Sequence, residues 1–464
     1  MADLSAIVKA YDIRGVVGEQ LDSDVARALG AATAALVAVD SPSPRAVVVG
    51  RDMRDSSEPL AAAFADGVTS HGLDVVDIGL ASTDMLYYAA GTLELPGAMF
   101  TASHNPARYN GIKLCRAGAV PIGQDTGLAE IRATAESMLA PSAPAPVGPG
   151  GGSVEQRDLL TGYAAYLREL VDLSGLGGLT VVVDAGNGMG GHTVPSVFAG
   201  LDARVVPMYF ELDGTFPNHE ANPLDPANLV DLQKRVVEEG ADIGLAFDGD
   251  ADRCFVVDER GVAVAPSAIT GLVAAREMAR ARDAGEQDVT IIHNLITSRA
   301  VPEIVAEHGG RAVRTRVGHS FIKQTMAETG AVFGGEHSAH YYFRDFWRAD
   351  SGMLAALHVL AALAEHGNTL SSLMAAYERY AASGEVNSAV QDQAGRVAEI
   401  ERVFGARDGV ELDRLDGLTV SLPDGSWFNL RASNTEPLLR LNVEAADTAA
   451  VAALRDEVLA IVRS

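Results

Sequence analysis

Cysteine is nearly missing from this 464-residue chain, which has only Cys115 and Cys254. Two thiols so far apart make neither a disulfide framework nor a zinc-ligand pattern. Each lies inside an apolar-polar, strand-like run. Positive charge is the second shortage. Lys and Arg total 36 against 62 for Asp and Glu, a net charge of -26, which disfavours adventitious binding to nucleic acid or anionic lipid. Any phosphate gripped here must be gripped by a local positive site. Also missing is an apolar stretch approaching the roughly 18 residues of a membrane span, and the opening MADLSAIVKAYDIRG is charged throughout, with no signal-peptide core. The expectation is a soluble protein of a reducing cytoplasm, with no nucleic-acid or membrane partner. The chain does have apolar residues, at 48%, and a length too great for one core, which indicates three or four domains.

One theme recurs three times: an apolar β-branched run that stops at a polar loop. Ala46 to Val49 precedes GRDMRDSS, Thr180 to Val183 precedes DAGNGMGG, and Val289 to Ile292 precedes HNLITSR. From Val47 to Val181 to Val289 the repeats lie 134 and 108 residues apart, a domain-sized spacing. Helical patterns follow the first and third, at Pro59 to His71 and Ala300 to His308, so the unit reads as strand, loop and helix in an α/β layer. Leu139 to Ser153, rich in Pro, Gly and Ser, reads as a linker. Beyond Leu373 the pattern becomes Leu418 to Leu422, a Pro423-Asp424-Gly425 turn, Trp427 to Arg431, Leu439 to Glu444 and a helix from Thr448, an α+β unit of a different kind. The expected domains are 1–150, 151–258, 259–373 and 374–464.

Four strings carry chemistry. DGDADR, Asp248 to Arg253, lies between two apolar runs. Carboxylates at i, i+2 and i+4 of a nearly extended loop share a face, and like charges about 4 Å apart repel by roughly 1 to 4 kcal/mol. Such a cluster needs a cation, and oxygen ligands without a His or Cys pattern favour magnesium over zinc. An EF-hand is partly matched by Asp248, Asp250, Asp252 and Glu259, but Arg253 stands at its glycine position and the flanks read as strands. An acidic surface turn is the bland reading. TASHNP, Thr101 to Pro106, presents Ser103 on a tight loop after a strand, although by itself it matches any ordinary turn. No G-x-S-x-G elbow surrounds it. RASNTEP, Arg431 to Pro437, offers a guanidinium and three neutral donors in a turn, a phosphate cradle. GEHSAH, Gly335 to His340, suits hydrogen bonding to adjacent sugar hydroxyls. Gly186, Gly188 and Gly191 also spell G-x-G-x-x-G with Glu211 twenty residues on, a dinucleotide-binding pattern, yet Asp184 ends the strand where its charge would face a pyrophosphate.

In this order and at this spacing the strings resemble the α-D-phosphohexomutase superfamily, and within it the bacterial phosphomannomutase/phosphoglucomutase group, from Lys9-Ala10-Tyr11-Asp12-Ile13-Arg14-Gly15 to RASNTEP. The resemblance implies three related α/β domains and a C-terminal α+β domain around a central cleft. It implies a phosphoserine at Ser103, magnesium on Ser103, Asp248, Asp250 and Asp252, and Arg253 near the transferring phosphate. Glu336 and Ser338 would hold sugar O3 and O4, with His319 a further contact. Arg431, Ser433, Asn434 and Thr435 would hold the non-reacting phosphate, and Arg14, Lys113 and His340 would serve proton transfer and phosphate contact. Where some members carry a substrate lysine this chain reads NLITSR, so Ser298 or Arg299 is expected to stand in. The implied reaction interconverts hexose 1-phosphate and hexose 6-phosphate, of mannose and glucose, with hexose 1,6-bisphosphate as intermediate and activator. A magnesium-dependent phosphatase or bisphosphate synthase, and a non-catalytic sugar-phosphate-binding scaffold, are the rival readings.

Overall fold

The computed structural model describes residues 3–40, 46–140, 151–433 and 438–464. They form two compact units, one from Met1–Val264 and Ser338–Ser371, the other from Ala265–His337 and Ser372–Ser464.

The first unit is built on two sheets. In the first, the β-branched strand Ala46–Arg51 lies between Asp74–Leu80 and Gly97–Phe100, parallel to both. Tyr109–Arg116 and Ile13–Val16 extend the sheet antiparallel beyond Gly97–Phe100. Val154–Gln156 adds an edge strand beside Asp74–Leu80. Ala46–Arg51 is buried along nearly its whole length, as a central parallel strand with helices on both faces must be. The chain leaves it, pairs on one side, then crosses to pair on the other. That reversal opens a crevice at the strands' carboxyl ends, and the loops after Ala46–Arg51 and Gly97–Phe100 meet there.

The second sheet runs Ala263–Val264, Cys254–Asp258, Ile243–Phe247, Leu179–Asp184, Ala203–Met208. DGDADR is the tip of the antiparallel hairpin between Ile243–Phe247 and Cys254–Asp258, closed by the pair Phe247 and Cys254. A strand-flanked tip is not the helix–loop–helix of an EF-hand. A short helix, Gly190–Val197, follows the second repeat too. Its two leading glycines and Pro195 hide it from a propensity reading. The unit ends in the antiparallel ribbon Tyr341–Phe343 and Ala349–Asp350 and the almost wholly buried helix Gly352–His366. Both cysteines are buried, and neither is in a disulfide.

In the second unit, Arg311–Thr315, Thr290–Asn294 and Phe333–Gly335 pair in parallel. The C-terminal part is wholly antiparallel, ordered Ala381–Ala389, Leu438–Ala445, Trp427–Ala432, Leu418–Ser421, Glu411–Asp413. Helices Gln393–Gly405 and Thr448–Val462 cover one face, with Phe404 edge-on to Phe428 at 4.9 Å in the core between. The fold is thus three tandem α/β layers and a C-terminal α+β layer. Among the described residues no helix is long and apolar enough to cross a membrane.

Candidate active site

Ser103 stands in the crevice of the first sheet, 5% exposed, in the left-handed region at φ 50°. Serine rarely adopts that conformation unless its surroundings enforce it. Arg54 enforces it. Its Nη2 donates to the carbonyls of Ser103 (2.9 Å) and Asn105 (2.7 Å), and its Nη1 to those of Pro106 and Tyr109 (both 3.0 Å). Its Nε donates to Asp52 (3.2 Å), a carboxylate that also accepts from Ser57 Oγ at 2.5 Å. All five N–H groups of this buried guanidinium are used, four of them on one turn. Phe216 covers the other side, with Arg54 Cζ 5.0 Å from its ring centroid. The sequence reading missed Arg54 because its partners lie 49 to 55 residues away.

The serine hydroxyl faces the hairpin tip. Ser103 Oγ donates to Asp248 Oδ2 at 2.8 Å. Arg253 brackets the pair, donating to Asp248 Oδ2 from Nε (2.8 Å) and Nη2 (2.6 Å) and reaching Ser103 Oγ at 3.4 Å. Its Nη2 also donates to His104 Nδ1 at 2.5 Å. Burial, then the nearby Arg253 and Arg14, hold His104 well below the usual imidazole range, so it is a neutral acceptor. The tip can come this close because Gly249 has no side chain: a Cβ there would stand 2.4 Å from the Ser103 carbonyl oxygen. Gly188 abuts the tip from behind, where a Cβ would meet the Gly249 oxygen at 2.7 Å, and Met189 N donates to that oxygen at 2.9 Å. The glycine-rich string therefore backs the acidic loop. Asp184 accepts from Gly186 N (2.8 Å) and pairs with His219 (2.9 Å), which occupies its charge inside the protein.

Asp248, Asp250 and Asp252 are buried and present carboxylate oxygens within 4.8 Å of one another. Lys113 Nζ bridges Asp250 Oδ2 and Asp252 Oδ2, 2.6 Å from each. Burial pushes the Asp248 carboxyl up, against the pull of Arg253. For Asp250 burial acts the same way, but Lys113 and Thr83 outweigh it and hold the carboxyl low. Three carboxylates thus meet two cations, leaving one negative charge unmatched. Asp250 Oδ1 and Asp252 Oδ1 are buried and accept no hydrogen bond among the described residues. A hard divalent cation fits this donor set, since it would use those oxygens and supply the missing charge.

Of the remaining expected residues, the first unit brings three more, His340, Ser338 and Arg14, to this cluster or its edge. His340 Nε2 lies 3.7 Å from Asp252 Oδ1, and its Nδ1 faces Ser338 Oγ at 2.9 Å. Arg14 Nη1 donates to Asn105 Oδ1 at 2.6 Å, at the edge of the serine turn. The others are in the second unit. Glu336 Oε1 accepts from Asn294 Nδ2 (3.0 Å) and Gly318 N (3.2 Å), beside His319 in sequence. Arg431 lies 3.7 Å from Asp416, and Ser433 N donates to the Leu438 carbonyl at 2.8 Å. Asn434 and Thr435 lie outside the described residues. Ser298 and Arg299 also lie in the second unit. Ser298 Oγ accepts from Ala300 N, and Arg299 binds Glu303 and the Gly425 carbonyl while stacking 4.6 Å over Tyr380.

A strained buried serine facing three carboxylates and two cations, on tandem α/β domains, defines a class of phosphoryl-handling proteins. Models of the phosphoglucomutase/phosphomannomutase alpha/beta/alpha domains I, II and III match residues 5–140, 161–261 and 266–380, and the family's C-terminal domain matches 385–461. A phosphomannomutase of Salmonella montevideo is 40% identical over 469 residues, 98% of each chain. The phosphohexose mutases of a Xanthomonas campestris strain are 40% identical over 452 residues, 97% of each chain. A crystal structure of a phosphoglucomutase/phosphomannomutase family protein of Burkholderia thailandensis superposes with a TM-score of 0.87 at 33% identity, covering 98% of this chain and 96% of that one. The chain belongs to the phosphoglucomutase/phosphomannomutase family and is an enzyme.

Proposed function

We propose that this enzyme interconverts hexose 1-phosphate and hexose 6-phosphate, of mannose and also of glucose, through a phosphorylated Ser103 and a hexose 1,6-bisphosphate that also activates it, in the cytoplasm. The observation that carries the reading is Ser103 Oγ, held on a turn fixed by Arg54, 2.8 Å from the first of three clustered carboxylates. Asp248, Asp250 and Asp252, joined by Ser103 Oγ, would hold magnesium, which when bound offsets phosphoryl charge. The four domains, 1–150, 151–258, 259–373 and 374–464, supply one part each. Arg431, Ser433, Asn434 and Thr435 grip the phosphate that does not react. Glu336, Ser338 and His319 orient the sugar through hydroxyls that glucose and mannose share, which is why both are accepted.

The sugar's free hydroxyl attacks phosphorus, a new P–O bond forms and the bond to Ser103 Oγ breaks. His340, whose Nδ1 faces Ser338 Oγ, takes the hydroxyl proton. Arg253 and Lys113 meet the charge on the transferring group, and Arg14 steadies the turn and its phosphate. After the bisphosphate turns over, Ser103 Oγ attacks the other phosphate and the same groups act in reverse. Fixed cations aimed at the transferring group are the main source of acceleration in such reactions.

The reading is tested by mass spectrometry with turnover. The Ser103 peptide should carry one phosphoryl group in a fraction of purified chains, more after hexose 1,6-bisphosphate and less after excess monophosphate. Ser103→Ala should fold, bind substrate and lose mannose 1-phosphate conversion. Normal turnover with Ser103 never phosphorylated would overturn the mechanism.

A further inference from the structure

We infer that Asp84 is a positioning residue for the acidic hairpin tip, joining in one carboxylate the two elements against which its Asp250 and Arg253 ends rest. Asp84 stands in the first turn of the helix Thr83–Thr92 and has no solvent exposure. It accepts from three hydroxyls. Ser82 Oγ, the cap of its own helix, donates to Oδ1. Tyr163 OH, from the helix Leu160–Leu170, donates to Oδ2 at 2.7 Å, and Ser351 Oγ donates to the same oxygen at 2.6 Å. These two donors stand 79 and 267 residues away in sequence.

Both neighbours of this junction bear on the hairpin tip. Thr83, next to Asp84, donates from N to the Asp250 carbonyl (3.0 Å) and from Oγ1 to Asp250 Oδ2 (2.6 Å). Ser351 caps the helix Gly352–His366 by accepting from Leu354 N at 3.0 Å. The next residue, Gly352, packs so closely on Arg253 that a Cβ would stand 2.5 Å from the Arg253 carbonyl carbon. One side of the tip rests on Thr83 and the other on the Gly352 helix start, and Asp84 holds both. No cation within hydrogen-bond reach compensates it among the described residues. Burial raises its carboxyl, and the field of Asp252 adds to the cost. A buried carboxylate that costs stability but accepts from three separate segments can instead fix their geometry.

The inference rests on the reading of this tip as the metal site, and the test separates the two. Magnesium binding to the full chain is measured by titration calorimetry, beside thermal melting and turnover. Groups that hydrogen-bond a metal's ligands, as Thr83, held next to Asp84, does Asp250, typically change affinity by about 10- to 100-fold when lost. Asp84→Ala should therefore weaken magnesium binding by about tenfold or more, while Asp84→Asn, which keeps an acceptor for Tyr163 and Ser351, should restore it to within about threefold. If Asp84→Ala does not fold, the double variant Tyr163→Phe, Ser351→Ala removes both long-range donors without a large cavity and should show the same weakening. Unchanged magnesium affinity with only a lowered melting point makes Asp84 merely structural and overturns the inference. If Asp250→Asn abolishes magnesium binding while the Asp84 and double variants leave it intact, this inference alone falls. If Asp250→Asn also binds normally, the metal-site reading falls with it.

Discussion

Replacing Arg54 by lysine tests how the nucleophile turn is held. The guanidinium spends its five N–H groups on Asp52 and on the carbonyls of Ser103, Asn105, Pro106 and Tyr109, with side-chain exposure of 1%. Lysine keeps the charge beside Asp52, so the 3 to 5 kcal/mol that an uncompensated buried carboxylate would cost is avoided. Its single ammonium offers three donors from one point, so at least two carbonyls lose their partner. At about 1 to 1.5 kcal/mol each, the expected destabilisation is about 2 to 3 kcal/mol. The same loss frees the turn. A displacement of about 1 Å at a reacting group can cost about 100-fold, so kcat should fall by that order while KM changes little. Urea unfolding with an unchanged slope gives the first quantity and initial rates of mannose 1-phosphate conversion the second. An Arg54→Lys enzyme within about 0.5 kcal/mol of the parent and with unchanged kcat would refute the argument. Arg54→Ala should be far worse, because the buried Asp52 charge is then stranded.

Three further outcomes are expected. Burial raises the Asp84 carboxyl to about 6 from an ordinary 3.8. The folded chain then binds an extra proton between those values, so stability falls as pH rises from about 4 through 6, by up to about 3 kcal/mol. Asp84→Asn should melt higher than the parent at pH 7.5 and level with it at pH 4, whereas an equal difference at both would sink the assignment. Gly249→Ala would drive a methyl 2.4 Å from the Ser103 carbonyl oxygen, so it should cost about 1 to 3 kcal/mol and most of kcat; half-normal turnover would count against the close approach. Chelation of divalent ions should stop turnover and added magnesium restore it, and full rates in excess chelator would exclude the metal reading.

What the sequence determined by itself was local. Alternation and β-branched runs marked the strands, and the C-terminal ones are observed at Leu418–Ser421, Trp427–Ala432 and Leu438–Ala445. The i, i+2, i+4 acids and the serine after a strand were visible because each depends on fewer than ten consecutive residues. Reading stopped where meaning depends on distant partners. TASHNP taken alone looks like any turn, and G-x-G-x-x-G like a nucleotide loop. Tertiary structure decided otherwise, because Ala46–Arg51 pairs with Gly97–Phe100 across the sheet's reversal and brings Arg54 under the serine turn. It also seats the glycines against Gly249, places Lys113 between two acids it never meets in sequence, and ties Asp84 to Tyr163 and Ser351. Backbone propensity acts over a few residues, whereas buried polar groups must find partners wherever sheet order delivers them.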